Sequence, residues 1–328
     1  MRAKSVIPAL DATNGALILV FGLLLFSFQD VIIKYFSDRY SVLQIVFFRG
    51  LIAVSLFALV FKISKQNTTL ISRKPWLMLS RGLLGFGSYT CYYLAVAAMP
   101  LAEVVCITFT MPLFVTVMSA LILGEKVGPR RWSAVVLGFI GVLIILSPSG
   151  EFNWLAVILA FGAAITYATH TIITRFLSMH DDPLTIAFNA LIIFTIASGA
   201  LSLLMFADLL VVESEHPSLA FFGRDWVMPS TLDTLLLIAI GFIAAIGFYC
   251  LSKAYCVAEA SAIAPFEFTY ILWAVVFGYL FWNEVPGPTT FVGIVILISS
   301  SLYIWYRERQ LEKQGNSFQP THEPARQE

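Results

Sequence analysis

Ten stretches of roughly twenty apolar residues follow one another along this chain, at about 15–36, 42–61, 76–98, 101–123, 131–148, 153–176, 184–207, 233–254, 261–282 and 288–305. Crossing the hydrocarbon of a bilayer takes about 20 residues of helix. The runs are too long for strands and lack a period of two. Composition agrees: 59% of the 328 residues are hydrophobic and 12% charged. A soluble domain is about 45–50% apolar and about 25% charged, so no soluble core could hide the excess. The chain therefore reads as an all-α polytopic membrane protein with ten transmembrane helices and the lipid bilayer as its surroundings. Arg2 and Lys4 precede the first run, and Gln29 and Asp30 follow it where a signal peptide would carry a small-residue cleavage site. That run is read as an uncleaved first span.

The basic residues orient the chain. With the N-terminus in the cytoplasm, fifteen of the twenty Lys and Arg residues fall in or beside inner loops. Three fall outside, namely Lys34, Arg39 and Arg224, while Arg49 and Arg81 lie inside spans. This is a strong positive-inside bias and puts both termini in the cytoplasm. Net charge is zero and the basic residues come in short clusters, so nucleic acid is not an expected partner. Cys91, Cys106, Cys250 and Cys256 have no metal-ligand or CxxC spacing and read as free apolar thiols. No metal or cofactor is expected.

The chain also repeats itself. Gln29-Asp30-Val31-Ile32-Ile33-Lys34 aligns without gaps to His170-Thr171-Ile172-Ile173-Thr174-Arg175, and Leu43, Ile45 and Phe47 meet Leu184, Ile186 and Phe188 at the same offset. Ala102-Glu103 matches Ala258-Glu259, and Glu125-Lys126-Val127-Gly128-Pro129 matches Glu284-Val285-Pro286-Gly287-Pro288. Five spans separate each pair, and five is odd, so the second copy enters the membrane upside down. The first of these turns runs into Arg130 and Arg131 and the second into Thr289 and Thr290, as expected if one lies inside and the other outside. The expected organisation is a cytoplasmic segment 1–14, a five-helix repeat 15–148, its inverted copy 153–305 and a disordered cytoplasmic tail 306–328. Inverted halves of this kind suit alternating access.

Several motifs resemble the drug/metabolite transporter superfamily, specifically its EamA-type carriers. They are Phe48-Arg49-Gly50, Pro112 in the fourth span, Leu123-Gly124-Glu125 at its end, Gly138-Phe139-Ile140-Gly141, and Asn283-Glu284 in the second copy. The resemblance implies a central cavity lined by spans 1, 3, 4, 6, 8 and 9, with spans 5 and 10 peripheral. The second copy departs from the pattern, with Asn283 where the family has Gly and Ile271 where the first copy has Pro112.

Polar groups inside the spans are the candidate site. A charge near the bilayer centre costs at least ~2.5–3.5 kcal/mol, so it needs a partner or a cavity. Asp30 and Arg49 lie at matching depths near the outer face. They read either as a gate or substrate clamp or as a structural ion pair, with an Asp30–Lys34 pair on one helix as a further possibility. Glu267 and His170 match in depth near the inner face. A carboxyl in an apolar site has a raised pKa and can carry a proton near neutral pH, and histidine titrates in the same range, so they form a candidate proton or substrate site, the alternative being a plain interhelical hydrogen bond. Tyr89, Tyr92 and Tyr93 share one face of span 3, and Phe266, Tyr270 and Trp273 one face of span 9. Aromatic faces can stack on flat or cationic ligands or simply pack the bundle. Glu103 and Glu259 fall in first turns, where a carboxylate complements the helix dipole, and Glu125 and Glu284 shape turns. Gly82, Gly85, Gly138, Gly141 and Gly241 permit close helix approach.

A secondary transporter of small organic metabolites fits best: amines, amino acids or neutral aromatic compounds, moved by proton coupling or exchange. The cations available are too few for phosphorylated ligands. The other classes weighed are an intramembrane enzyme and a channel or receptor. No HExxH, GxSxG or Walker motif is present, and His180-Asp181-Asp182-Pro183 reads as a helix stop and start. The expected state is a monomer or homodimer in the cell inner membrane.

Overall fold

The computed structural model describes residues 9–64, 72–122, 129–145, 153–177, 180–181, 183–212, 214–257 and 264–317. Side chains are described for most but not all of them. The helices are α1 (Ala9–Phe36), α2 (Val42–Ser64), α3 (Pro75–Val96), α4 (Leu101–Thr108), α5 (Met111–Ile122), α6 (Pro129–Ile145), α7 (Trp154–Leu177), α8 (Pro183–Phe206), α9 (Pro217–Gly223) and α10 (Thr231–Val257). A 3₁₀ turn (Ala264–Phe268), α11 (Thr269–Trp282) and α12 (Pro288–Ser317) complete the chain. No strand occurs among the described residues.

Among the described residues, five helices are long and apolar enough to cross a bilayer: α1, α2, α7, α8 and α10. The apolar stretch of α1, Asn14–Phe36, has 23 residues, which at a 1.5 Å rise is about 35 Å of helix. Shorter apolar helices cover Leu101–Val115, Val135–Ile145, Phe266–Trp282 and Pro288–Ser300. Many large apolar side chains stay exposed, Leu17, Leu143, Ile158 and Leu280 among them. In water such a surface would aggregate, whereas against lipid tails it is the solvated surface.

The stretch read as span 4 is two helices. The chain turns at Phe109 and Thr110 before α5 begins. A proline at 112 has no N–H to offer the carbonyl of residue 108, so the helix cannot run through. The stretch read as span 9 is likewise interrupted, by the 3₁₀ turn at Ala264–Phe268.

Two other departures concern the connections. The long loop after α8 contains α9, with Pro217 in its first turn and the His216 ring accepting from Ser218 N at 3.2 Å. Helix α12 runs on to Ser317, past the limit at 305 expected from the end of the apolar run. Glu308 to Gln314 are good helix formers in a row, so the helix leaves the apolar layer intact. The rest of the expected tail, 318–328, lies outside the described residues, as do Gly124, Glu125, Lys126 and Glu259.

The main helix pairings join the first half of the chain to the second: α3 with α7, α6 with α12, α1 with α10 and α2 with α8. Glycines set the separation at several of these faces. A Cβ on Gly141 would stand 3.1 Å from the Gly293 carbonyl oxygen, and one on Gly293 would stand 2.5 Å from the Gly141 carbonyl oxygen, so α6 and α12 touch backbone to backbone. Gly82 packs on Ile193 of α8, and Gly241 on Ile52 of α2. Cys91, Cys106 and Cys250 are free thiols.

Candidate functional site

The end of the bundle that carries α9 is tied together by side chains reaching between distant loops. Lys34, in the last turn of α1, forms an ion pair with Glu284 and donates to the Met99 carbonyl at 3.1 Å. The other oxygen of Glu284 accepts from the Leu101 backbone N–H at 3.0 Å. It thereby serves the start of α4, where the N-cap residue Pro100 makes no side-chain cap and Glu103 stands in the first turn. The local backbone explains how Glu284 gets there. Asn283 takes the left-handed conformation, φ 56°, and the Glu284 N–H turns back to the Gly278 carbonyl at 3.1 Å. This is a Schellman-type stop, and asparagine is the side chain that best stands in for glycine in it. Arg224 also donates to the Ser37 carbonyl at 2.6 Å, Tyr40 to Asp233 at 2.7 Å, and Gln44 to the Val227 carbonyl at 2.8 Å. At the opposite end Asp181 accepts from Ser72 and from Arg73 N, a structural role for the acidic turn.

Below the α9 end lies a cavity of about 140 Å³. Its walls come from α1 (Leu23, Phe26, Gln29, Asp30), α3 (Ser88, Tyr89, Tyr92, Tyr93), the break between α4 and α5 (Thr108, Phe109, Met111), α7 (Tyr167), α10 (Leu251) and the break before α11 (Glu267, Tyr270). Both interrupted stretches therefore open onto it. Leu23 lies seven residues before Asp30 on α1, so the cavity extends about 10 Å along that helix, away from the α9 end.

Two polar clusters sit at its upper wall. Asp30 is 2% exposed and accepts from the Tyr92 hydroxyl at 2.7 Å and from the Tyr270 hydroxyl. Tyr270 stacks on Phe109, ring centroids 6.0 Å apart. Beside this, the Tyr93 hydroxyl accepts from Arg49 Nη1 at 2.7 Å and from Gln29 Nε2 at 3.0 Å. Arg49 is 3% exposed and lies over the Tyr89 ring, 5.3 Å from its centroid. It stands one layer behind the cavity wall that Tyr89 and Tyr93 form.

Of the residues expected from sequence, the cavity wall brings together Asp30, Tyr89, Tyr93, Glu267 and Tyr270. The proposed pairings do not form as drawn. No ion pair joins Asp30 to Arg49 among the described residues, because tyrosine hydroxyls occupy both, and Lys34 turns to Glu284 instead of Asp30. His170 packs edge-on against Tyr167, centroids 4.6 Å apart. Both its ring nitrogens lack a hydrogen-bond partner, so it makes no bond to Glu267. Trp273 stacks on Phe277, away from the named wall. Gln29, Tyr167 and Phe109 also line the wall, and the sequence does not mark them as site residues. Tyr167 is three residues before His170, hence on the same helix face, and Phe109 adjoins the proline break, which are the signals the sequence offers.

Comparison with known proteins follows the same outline. Residues 13–147 and 154–306 each match the EamA-like transporter family. The S-adenosylmethionine uptake transporter of Rickettsia conorii is 28% identical over 284 residues, 87% of this chain and 90% of the relative. The riboflavin transporter of Rhizobium johnstonii is 26% identical over 79% of each chain. The pseudopaline exporter CntI of Pseudomonas aeruginosa is 26% identical over 87% of this chain and 93% of its own. One crystal structure superposes with a TM-score of 0.61 over 92% of this chain and 99% of that chain at 16% identity, a likeness of fold alone. Two family matches that together span nearly the whole chain, on a bundle of apolar helices around a shared cavity, establish that this protein belongs to the EamA-like transporter family, a multi-pass membrane transporter and not an enzyme.

Proposed function

We propose that the chain is a ten-span secondary carrier of two inverted five-helix halves, moving amines, amino acids or neutral aromatic compounds by alternating access in the cell inner membrane. The observation that carries the reading is Asp30: a buried carboxylate on the wall of a cavity between the halves, held by neutral hydroxyls and ringed by aromatic faces. A carboxylate with aromatic neighbours favours an organic cation, by charge and by cation–π attraction.

The helix pairings support the inversion. If each span of the first half corresponds to the span five further on, α1 with α10 becomes α7 with α3, and α1 with α11, which follows the break in its span, becomes α7 with α5. Likewise α2 with α10 becomes α8 with α3, while α2 with α8 and α6 with α12 map onto themselves. All these pairs are in contact. The breaks correspond too. Counted from the matched Ala102-Glu103 and Ala258-Glu259, a shift of 156 residues carries Thr108, where α4 ends, onto Ala264, where the 3₁₀ turn begins. Discontinuous helices at equivalent places beside a shared site are a recurrent carrier design.

With the basic residues inside, the α9 end is the outer face. Its cross-links, Lys34–Glu284 above all, make this the closed side, so the cavity of this conformation serves the cytoplasm. Asp30 and Glu267, both on the cavity wall, are the groups able to exchange a proton for a cation.

The test is uptake into proteoliposomes under an imposed pH gradient, starting with S-adenosylmethionine, the compound named for the rickettsial relative. Gradient-dependent uptake that Asp30→Asn abolishes is expected. Unchanged uptake and unchanged pH response in Glu267→Gln would remove Glu267 from the mechanism.

A further inference from the structure

A second cleft, of about 730 Å³, lies at the α9 end of the bundle and shares no lining residue with the central cavity. Sites for drug-sized ligands measure about 300–1,000 Å³, so it has room for a sizeable molecule. Its walls are apolar, formed by Phe47 of α2 and by Leu203, Met205 and Phe206 of α8. At Gly199 the two helices close on each other, since a Cβ there would stand 3.0 Å from the Phe47 ring. The rim is charged: Asp208 follows α8, and Arg224 and Asp225 follow α9.

The roof is fixed by its own bonds. Arg224 Nη1 donates to the Ser37 carbonyl at 2.6 Å, and Ser41 Oγ to the Phe222 carbonyl at 3.2 Å. Gln44 donates to the Val227 carbonyl at 2.8 Å and accepts from the Val227 N–H at 3.3 Å. The Trp226 ring centroid stands 5.4 Å from that of Phe47 and 5.6 Å from that of Phe48. The cleft is thus pre-formed, as ligand sites usually are.

Its depth points to the bilayer. The apolar stretch of α8 ends at Phe206, where hydrocarbon gives way to headgroups. Gly199 lies seven residues earlier, about 10 Å deeper, and Asp208 just beyond the end. Leu203 and Phe206 are exposed, as are Ile196 and Leu204 on the same helix, so the wall is continuous with the lipid-facing surface. A lipid can reach the cleft without passing through the protein. Among the described residues none of Arg224, Asp208 and Asp225 forms an ion pair. A guanidinium matches a phosphate in shape and charge, and carboxylates accept from an ammonium.

We infer that this cleft binds one phospholipid with a primary-amine headgroup, of the ethanolamine type. Arg224 takes the phosphate, Asp208 and Asp225 take the ammonium, and an acyl chain lies along Leu203 and Phe206. An anionic headgroup would meet two carboxylates, and a choline headgroup has no N–H to offer them. The bound lipid bridges α2, α8 and the loop after α9, fastening a contact between the two halves of the chain. The inference rests on the membrane placement alone and on no transported substrate.

Lipid competition tests it. The full-length protein is reconstituted in nanodiscs of phosphatidylethanolamine, phosphatidylcholine and phosphatidylglycerol in equal parts with identical chains, and the lipid retained on release is identified by native mass spectrometry. Wild type should retain one ethanolamine lipid with a preference of about fivefold over either other, the upper worth of an exposed ion pair. Asp208→Asn combined with Asp225→Asn should remove that preference. Asparagine also tolerates the left-handed backbone of Asp208, φ 54°, so the turn is kept. Ser202→Phe, which fills the cleft from the α8 wall, should lower retention of every lipid. Should one variant fail to fold, wild type and the other variant decide. Equal retention of all three lipids, a preference for the glycerol lipid, or an ethanolamine preference that survives the variants overturns the inference. A wild-type dimer that Ser202→Phe splits gives the cleft to a second copy of the chain and overturns it as well.

Discussion

Asp30 and Lys34 stand one turn apart on α1, and the fold treats their charges in opposite ways. Lys34 meets its counter-charge directly: Glu284 arrives from 250 residues away, and the Met99 carbonyl and the Leu101 N–H complete the network. Asp30 has a cation nearby in Arg49, but receives two tyrosine hydroxyls instead. The first arrangement is closed, with each charge satisfied by protein. The second is held in reserve, since neutral hydroxyls stabilise a carboxylate without cancelling it. Direct ion pairing thus marks the part of α1 that seals one end of the bundle, and hydroxyl bonding the part that faces the cavity.

The comparison can be broken most decisively at Asp30. Asp30→Asn should leave folding intact and lower substrate affinity by more than about thirtyfold, the loss expected when one partner of a buried charge contact is removed. Equilibrium binding in detergent measures it. Lys34→Met should do the reverse. It strands Glu284 at 21% side-chain exposure and should cost roughly 3 kcal/mol of stability, read as a lowered thermal midpoint, with affinity nearly unchanged. Adding Glu284→Gln should recover part of that loss. Smaller again is Tyr270→Phe, which removes one of two donors to Asp30. A hydrogen bond to a charged group is worth about 1.5–3 kcal/mol, and here the carboxylate keeps Tyr92, so a several-fold rise in the KM of uptake is expected. The smallest effect belongs to Asn283→Gly. Glycine accepts φ 56° without a side-chain penalty, so stability should change by no more than about 0.5 kcal/mol and the Lys34–Glu284 pair should persist. A large loss there would show that the Asn283 side chain, and not only its backbone, sets the turn.

Sequence and structure meet unevenly, for physical reasons. Helices are legible because lipid demands long apolar runs, whereas the break near residue 110 is hidden inside a continuous apolar run, with Pro112, which cannot donate, as its one sequence signal. The tyrosine face of α3 is legible because spacings of three and four fix a face. The partners of the buried charges are not. Depth along a helix can be counted from its ends, and that count is what puts Asp30 level with Arg49 and Glu267 level with His170 as an expectation. Rotation about the axis decides contact, and it depends on neighbours that no local pattern records. Glu284 shows the same limit. Its place in a turn is readable, while its reach to Lys34 follows from a left-handed residue at 283 and from packing between the two halves. In the second copy, Asn283 departs from the family's glycine in sequence but keeps the conformation that glycine would take.

The most direct measurement compares the two α1 charges in one assay: uptake of labelled substrate into proteoliposomes by wild type, Asp30→Asn and Lys34→Met, each shown by its elution profile to be folded. The account predicts uptake lost in Asp30→Asn and substrate binding kept in Lys34→Met despite its lower thermal midpoint. Full uptake by Asp30→Asn, or binding lost in Lys34→Met but not in Asp30→Asn, would contradict it.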